Sequence, residues 1–398
     1  MVMQWRFIGY ILGGLVVGFF GIRTYRYFFD TTQPILVLRG IEQNGYYAGD
    51  VQCSIASSKN GELSIWLDEQ PLINQFSMNG GEHGHFFTIP TKTISNGKHT
   101  LRAAITDNTF QKNAITIDRF FYVDNVPLQA ALVKAENEYK VFQGRTLHVQ
   151  FQINKDIKEA TITALSNTYT CFPESKNSSI YEAFIPVPCE ENPNEYLFSV
   201  AITDKVGSTI RLDNKFQVVM FPFKRHQLLV SDEKVHEESE LGKDSSQFEQ
   251  IIQELTQSSP KEKLWKGAFC TPIEIQRVST DFGTIRTTQH KGRYAHKALD
   301  VLNVPKSVVW APQDGIVVMK DRFAMSGNTV IIDHGYGILS LFFHLDDFAK
   351  IEVGQKIAKG NPLGTIGKSG YASGYHLHWE MRVNNVAIDP MQWTKTIF

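Results

Sequence analysis

Twelve histidines occur in this chain, and six of them, His290, His296, His334, His344, His376 and His378, fall in its last third. Imidazole nitrogen and carboxylate oxygen are good donors to a divalent transition metal, and a catalytic site of that kind keeps three protein donors and one open position. Two pairs have usable spacing. In Tyr375-His376-Leu377-His378-Trp379-Glu380-Met381 the surroundings favour a strand, where side chains two apart share a face, so both imidazoles can reach one cavity. One can bind metal while the other serves catalysis. His296-Lys297-Ala298-Leu299-Asp300 supplies the second pair, but in a fully extended strand its ends would stand about 13 Å apart, too far to share one ion. The chain must bend there, and a loop entering a strand built on Leu299, Val301 and Leu302 would do so. A metal so held acidifies water and polarises a carbonyl, and a neighbouring imidazole then works near its own pKa as proton acceptor or oxyanion stabiliser. The absence of a helical H-E-x-x-H argues against the layout in which a glutamate base lies between two ligands.

Other candidates carry less. His334 sits in an Asp-His-Gly turn and reads as structural, His290 lies in a polar loop, and His83-Gly84-His85 has no acidic partner at ligand spacing. None of the four cysteines, Cys53, Cys171, Cys189 and Cys270, has C-x-x-C spacing, so cysteine chemistry is not the function. Cys171 and Cys189 are either a disulfide across a turn-rich loop or two free buried thiols. With 40 basic against 41 acidic residues and no long Lys/Arg cluster, nucleic acid is excluded as the main partner.

The elements that must position these residues follow from pattern. A chain of 398 residues with 42% hydrophobic and 20% charged content should fold into two or three domains, and the reading here is of three. The expected fold class is mainly β. Residues 33 to 221 alternate apolar and polar positions, as at Leu63, Ile65 and Leu67, with turns at Asn79-Gly80-Gly81 and Asn96-Gly97. Ala104-Ile105-Thr106-Asp107 recurs as Ala201-Ile202-Thr203-Asp204, which divides the region into β-sandwich modules at 33–124 and 127–221. Both resemble bacterial immunoglobulin-like domains. A linker with a short helix occupies 231–262: a polar stretch from Ser231 to Ser246, then the S-x-x-E cap Ser246-Gln247-Phe248-Glu249. Phe248, Ile251, Ile252 and Leu255 fall on one helical face, suited to packing against a neighbouring domain, until Ser258-Ser259-Pro260 stops it. At the other end, residues 1–30 read as a membrane anchor, because Phe7 to Ile22 carries no charge, is bounded by Arg6 and by Arg23 and Arg26, and has Tyr25, Tyr27 and Phe28 as interfacial flanks. A cleaved signal peptide is the alternative.

The last domain, 263–398, holds the metal-type pairs, and from Trp265 to Trp393 it resembles the lysostaphin-type (LytM-like) family of zinc peptidases. The motifs run in order: Ser279-Thr280-Asp281-Phe282-Gly283, His296-x-x-x-Asp300, Ala311-Pro312-Gln313-Asp314-Gly315, Gly327-Asn328-Thr329-Val330, Asp333-His334-Gly335, Phe343-His344-Leu345, Val353-Gly354-Gln355, Gly364-Thr365-Ile366-Gly367 and His376-Leu377-His378-Trp379-Glu380. The resemblance implies an all-β peptidase domain with the duplicated hybrid motif fold. It also implies one Zn2+ held by His296, Asp300 and His378, with His344 and His376 as the catalytic histidines. Ala298 stands where that family usually has Gly, Tyr375 replaces a common Pro, Ala372-Ser373-Gly374 replaces a Ser/Thr-Thr-Gly run, and Arg286 is displaced by one residue and receives no role.

The implied function is a metalloendopeptidase acting on the stem peptides or cross-links of bacterial peptidoglycan. The alternative is a non-catalytic regulator that binds and activates another cell-wall hydrolase. The implied location is the inner membrane, single-pass, with the domains on the extracytoplasmic side. Peptidoglycan peptides, the membrane, and envelope division or elongation proteins are the corresponding partners.

Overall fold

The computed structural model describes residues 18–81, 84–135, 138–227, 246–288 and 292–398, and strands dominate it. Two compact units are present, Met1–Pro127 and Leu128–Phe398. In the first, strands alternate as a half-buried sheet requires, with Leu63 and Ile65 buried and Glu62 facing out. A three-stranded sheet (order Leu36–Arg39, Val51–Ser57, His85–Ile89) and a five-stranded sheet (order Gly45–Tyr47, Ala114–Val123, Gly97–Asp107, Gly61–Leu67, Gln70–Met78) close over one core that includes Ile55, Ile89, Leu101, Ile105 and Phe121.

The second unit begins with the same plan. Its five-stranded sheet (order Lys140–Phe142, Thr209–Val219, Glu195–Asp204, Ile157–Ala164, Asn167–Thr170) faces a four-stranded one across Val149, Phe151, Ile185, Val200 and Phe216. In each sandwich a short strand pairs in parallel with the last one, Gly45–Tyr47 on Ala114–Val123 and Lys140–Phe142 on Thr209–Val219. The repeated tetrapeptide marks equivalent places. Asp107 and Asp204 each end a strand and are buried. Each accepts a backbone N–H from the turn that follows, Thr109 at 3.2 Å and Val206 at 3.1 Å, and each pairs with a lysine, Lys59 at 3.1 Å and Lys155 at 2.9 Å. A buried carboxylate is tolerated only with such partners, so the repeat is a turn-closing device of the fold. Cys171 and Cys189 are free buried thiols, not a disulfide. Cys171 belongs to the sandwich core, whereas the Cys189 Sγ lies 3.0 Å from Glu190 Oε2, and burial pushes both up to about 12.

Residues 18–29 are helical. The remainder of the expected anchor, residues 1–17, lies outside the described residues, as do 231–245 of the expected linker, His83 and His290. Among the described residues no helix is long and apolar enough to cross a membrane.

The C-terminal part is built on an antiparallel sheet whose main path runs Arg277–Thr280, Leu299–Leu302, Leu377–Val383, Ile338–Phe348, Gly327–Asp333, Gly315–Phe323, Lys356–Ile357. Its central strands Gly327–Asp333 and Ile338–Phe348 carry apolar residues on both faces, because both faces are covered. One carries a core of Leu299, Val301, Val330, Ile332, Phe342, Leu377 and Trp379. The other receives the helix at 246–257, whose Phe248 and Ile252 are buried against Met319, Ile331, Leu339, Leu341 and Phe343. The helix stripe therefore packs on the same sheet that carries the histidine motifs.

Contacts between the second sandwich and this sheet are extensive. Phe184 of the sandwich lies among Trp265, Tyr336, Met381 and Trp393. Asp389 caps the Pro390–Lys395 helix by accepting from Met391 N at 3.0 Å, and that helix presents Gln392, which bonds both ways to the Thr146 backbone at 2.7 and 2.9 Å.

His334 is fully buried, with Nδ1 donating to Asp314 O at 2.7 Å and Nε2 2.9 Å from Ser340 Oγ. Burial pulls its pKa down to about 4. Between pH 6.5 and 4 the unfolded chain takes up a proton that the folded chain does not, so stability falls as pH drops through this window. The loss should be on the order of 2 kcal/mol by pH 5. Urea unfolding of the full chain at pH 7 and pH 5 should show it, with a shallower pH slope in His334→Gln; an unchanged slope would assign the acid sensitivity elsewhere.

Candidate metal centre

Strand register brings the distant motifs together. Asp300 in Leu299–Leu302 pairs across the ladder with His378 in Leu377–Val383, and His378 pairs on its other side with Phe343 in Ile338–Phe348. Period-two alternation sends Leu377 and Trp379 into the core and leaves His376, His378, Glu380 and Arg382 on the opposite face. His296 follows directly on the strand Gly292–Ala295, and residues 296–298 leave the extended path before Leu299 begins the next strand. The required bend is held by two backbone bonds, Gly283 N to His296 O at 2.7 Å and His296 N to Thr284 O at 2.9 Å. Gly283 has φ +73°, and a Cβ there would meet the Phe223 ring at 2.1 Å, so only glycine lets this turn approach.

The ligating atoms of His296, Asp300 and His378 all lie within 4.8 Å of one another. Asp300 Oδ1 is 2.9 Å from His378 Nδ1, and its Oδ2 is 3.1 Å from His296 Nε2. The second approach lies off the hydrogen-bonding direction, and His296 Nε2 is left buried without a hydrogen-bond partner. Such an orphan in a native core calls for an explanation. Two imidazole nitrogens and a carboxylate oxygen converging around it are the donor set of a metal ion, so the residues fit one.

Electrostatics agree. Burial opposes charge on Asp300, but the hydrogen bond with His378 and the nearby His296 imidazole hold its carboxyl below the usual range. Burial likewise opposes charge on His378, yet Asp300 and Glu380 outweigh it and raise its pKa to about 9. The site thus attracts positive charge even when that charge costs desolvation.

His344 and His376 stand beside this cluster, with ring centroids 4.8 Å apart, and His344 is 5.8 Å from His378. Carbonyls set their tautomers: His344 Nδ1 donates to Ser369 O at 2.9 Å and His376 Nδ1 donates to Gly374 O at 2.9 Å. In both, Nε2 is left for other chemistry. Burial, with His378 and His376 nearby, lowers His344 to about 4, so its ring is neutral at neutral pH. His344 also has φ +61°, a left-handed conformation that costs a non-glycine residue about 1 kcal/mol or more and clusters at functional sites.

All five residues line one cleft of about 980 Å3. Arg286, given no role from sequence, lines it as well, donating to Thr280 Oγ1 at 3.2 Å with its guanidinium 3.8 Å from Asp300 Oδ2. Sequence reasoning also missed Arg382 and Glu249. Arg382 was within reach of pattern, since it continues the face of His376, His378 and Glu380; Glu249, 133 residues away, carried only the local signal of a helix cap, whereas its carboxylate bonds Arg382.

The class so defined is a mainly β domain with a His-Asp-His cluster, buried at His296 and Asp300 and half-buried at His378, flanked by two more imidazoles in an open cleft. Residues 294–390 match the model of Peptidase family M23, and the chain carries a LytM-type domain of that family. It is 31% identical over 127 residues to a protein named peptidoglycan DD-endopeptidase ShyC from Vibrio cholerae, a match covering 31% of this chain and 29% of that one. Over 128 residues it is 32% identical to DD-carboxypeptidase/endopeptidase Mpg of Neisseria meningitidis, covering 32% and 29% of the two chains. The matched region is therefore under a third of the length of these relatives. The catalytic domain of lysostaphin from Staphylococcus simulans aligns with a TM-score of 0.25 at 23% identity, covering 33% of this chain and 90% of that one.

Proposed function

We propose that this chain is a zinc metalloendopeptidase that hydrolyses peptide bonds in the stem peptides or cross-links of bacterial peptidoglycan. The observation that carries the reading is the convergence of His296, Asp300 and His378 donor atoms in a cleft that also holds His344 and His376. Similarity to one relative named as a peptidoglycan DD-endopeptidase and another named as a DD-carboxypeptidase/endopeptidase supports it. The N,N,O donor set favours zinc among common divalent ions. His296, Asp300 and His378 would hold the ion, which supplies acidification of water and Lewis-acid polarisation of a scissile carbonyl. His344 and His376, with Nδ1 of each committed to a carbonyl, offer Nε2 to take a proton from the attacking water or to donate to the oxyanion and the leaving amine. The walls of the cleft hold an extended peptide against these groups.

The same proposal includes zinc as the resident metal, immunoglobulin-like identity for the two sandwich modules, and an inner-membrane location through the 1–30 segment with the domains outside the cytoplasm. The uncharged run Phe7 to Ile22 supports the last point. Envelope division or elongation proteins are the partners that such a location would make available. The purified chain, incubated with sacculi, should release new amino groups in a chelator-sensitive manner, and mass spectrometry of the fragments should identify the bond. Sacculi left intact by zinc-loaded protein would overturn the hydrolase reading in favour of a regulator.

A further inference from the structure

The helix at 246–257 precedes the family-matching segment 294–390, yet two adjacent residues of it, Phe248 and Glu249, reach His378 by separate routes. Phe248 packs edge-on against Phe343, with centroids 5.5 Å apart and an interplanar angle of 79°. Phe343 in turn stacks flat on the His378 imidazole at 4.9 Å and 8°. Glu249 grips Arg382 with both carboxylate oxygens, Oε2 to Nη1 at 2.6 Å and Oε1 to Nη2 at 2.8 Å. The Nε of Arg382 donates to Glu380 Oε1 at 2.5 Å, and Glu380 Oε2 stands 3.9 Å from His378 Nε2. Glu380 and Arg382 are buried, while Glu249 is 54% exposed where it lines the cleft.

The geometry points to this helix as a positioning element of the metal centre: Phe248, through Phe343, fixes the plane of the His378 ring, and Glu249, through Arg382 and Glu380, fixes its Nε2 side. The physical argument concerns the guanidinium fork. Arg382 presents its Nε edge to Glu380 because Nη1 and Nη2 are taken by Glu249, with Asn385 Oδ1 a further acceptor at 3.0 Å from Nη1. Without the Glu249 charge, the buried cation has one carboxylate left, Glu380, and a bidentate fork on it is the stronger pairing. That pairing takes up both Glu380 oxygens and removes Oε2 from His378. A ligand histidine that loses its outer carboxylate is less well oriented, and loss of such a partner typically weakens metal binding about ten- to a hundredfold.

The inference rests on reading His296, Asp300 and His378 as the metal ligands, so the test separates the two. In the full chain, Zn2+ affinity measured by chelator competition should drop about tenfold or more in Glu249→Gln, and the visible spectrum of the Co2+-loaded protein should change. Glu249→Asp, which keeps the charge, should recover most of the affinity, and Phe248→Leu should alter the Co2+ spectrum by the other route. Circular dichroism of each metal-free variant separates positioning from unfolding, and Phe248→Leu against wild type carries the test if Glu249→Gln does not fold, an unchanged Co2+ spectrum counting against the helix's role. Wild-type affinity and spectrum in Glu249→Gln, alongside metal loss in His378→Ala, would overturn the helix's role and leave the metal centre standing. Undiminished Zn2+ binding in His378→Ala would instead overturn the ligand assignment.

Discussion

Replacing His378 with alanine should leave the purified chain unable to retain zinc through dialysis and should lower its rate of amino-group release from sacculi by about a thousandfold or more. A factor of that size is roughly 4 kcal/mol of activation barrier, modest beside what acidified water and a polarised carbonyl contribute together. The structural reason is that His378 Nδ1 shares Asp300 with His296, so its removal deletes one of three donors and leaves Asp300 with one imidazole. Asp300→Asn should do the same while keeping the side-chain volume. The pair of measurements matters, because metal content and rate must fall together. A His378→Ala protein that keeps stoichiometric zinc, or one that still supports an unaltered cell-wall phenotype, would favour a regulatory role over catalysis.

His344→Ala should have a different signature, with zinc retained and kcat reduced by about a hundred- to ten-thousandfold, the usual range for a positioned proton-transfer group. His344 is outside the cluster of three, its Nδ1 is tied to Ser369 O, and burial holds it neutral. On the proposed mechanism it would act on protons and not on metal retention. Because its backbone is left-handed, His344→Asn is the better control, since asparagine tolerates φ near +60° and alanine does not. A His344→Asn chain with intact metal and intact kcat would remove His344 from the mechanism and leave His376 as the candidate.

Much of the centre was legible in the chain. The H-x-H spacing places His376 and His378 on one face of any strand, and apolar Leu377 between them and Trp379 after them mark the face that goes inward. The bend between His296 and Asp300 followed from distance alone, and the structure supplies it by ending one strand at Ala295 and starting another at Leu299. The helix stripe at Phe248, Ile251, Ile252 and Leu255 was equally visible, although its destination is the sheet that carries the site. The alternation of Leu63 and Ile65 marked strands, and the Ala-Ile-Thr-Asp repeat ends a strand at Asp107 and again at Asp204, since both are local, periodic signals.

What the sequence determined by itself, then, is whatever rests on period and spacing: mainly β architecture, a duplicated strand ending, and two pairs spaced for a metal site, His296 with Asp300 and His376 with His378, whereas His344 entered only through the family resemblance. Only the tertiary structure decided which side chains support them. The Glu249 grip on Arg382, the Phe343 plate under His378, the Phe184 contact that joins the second sandwich to the sheet and the orphaned His296 Nε2 are each contacts between single residues far apart in the chain. Hydrogen bonds and ring contacts of that kind have no periodicity. They exist once register has brought the strands together, and register is a property of the folded sheet and not of any one segment.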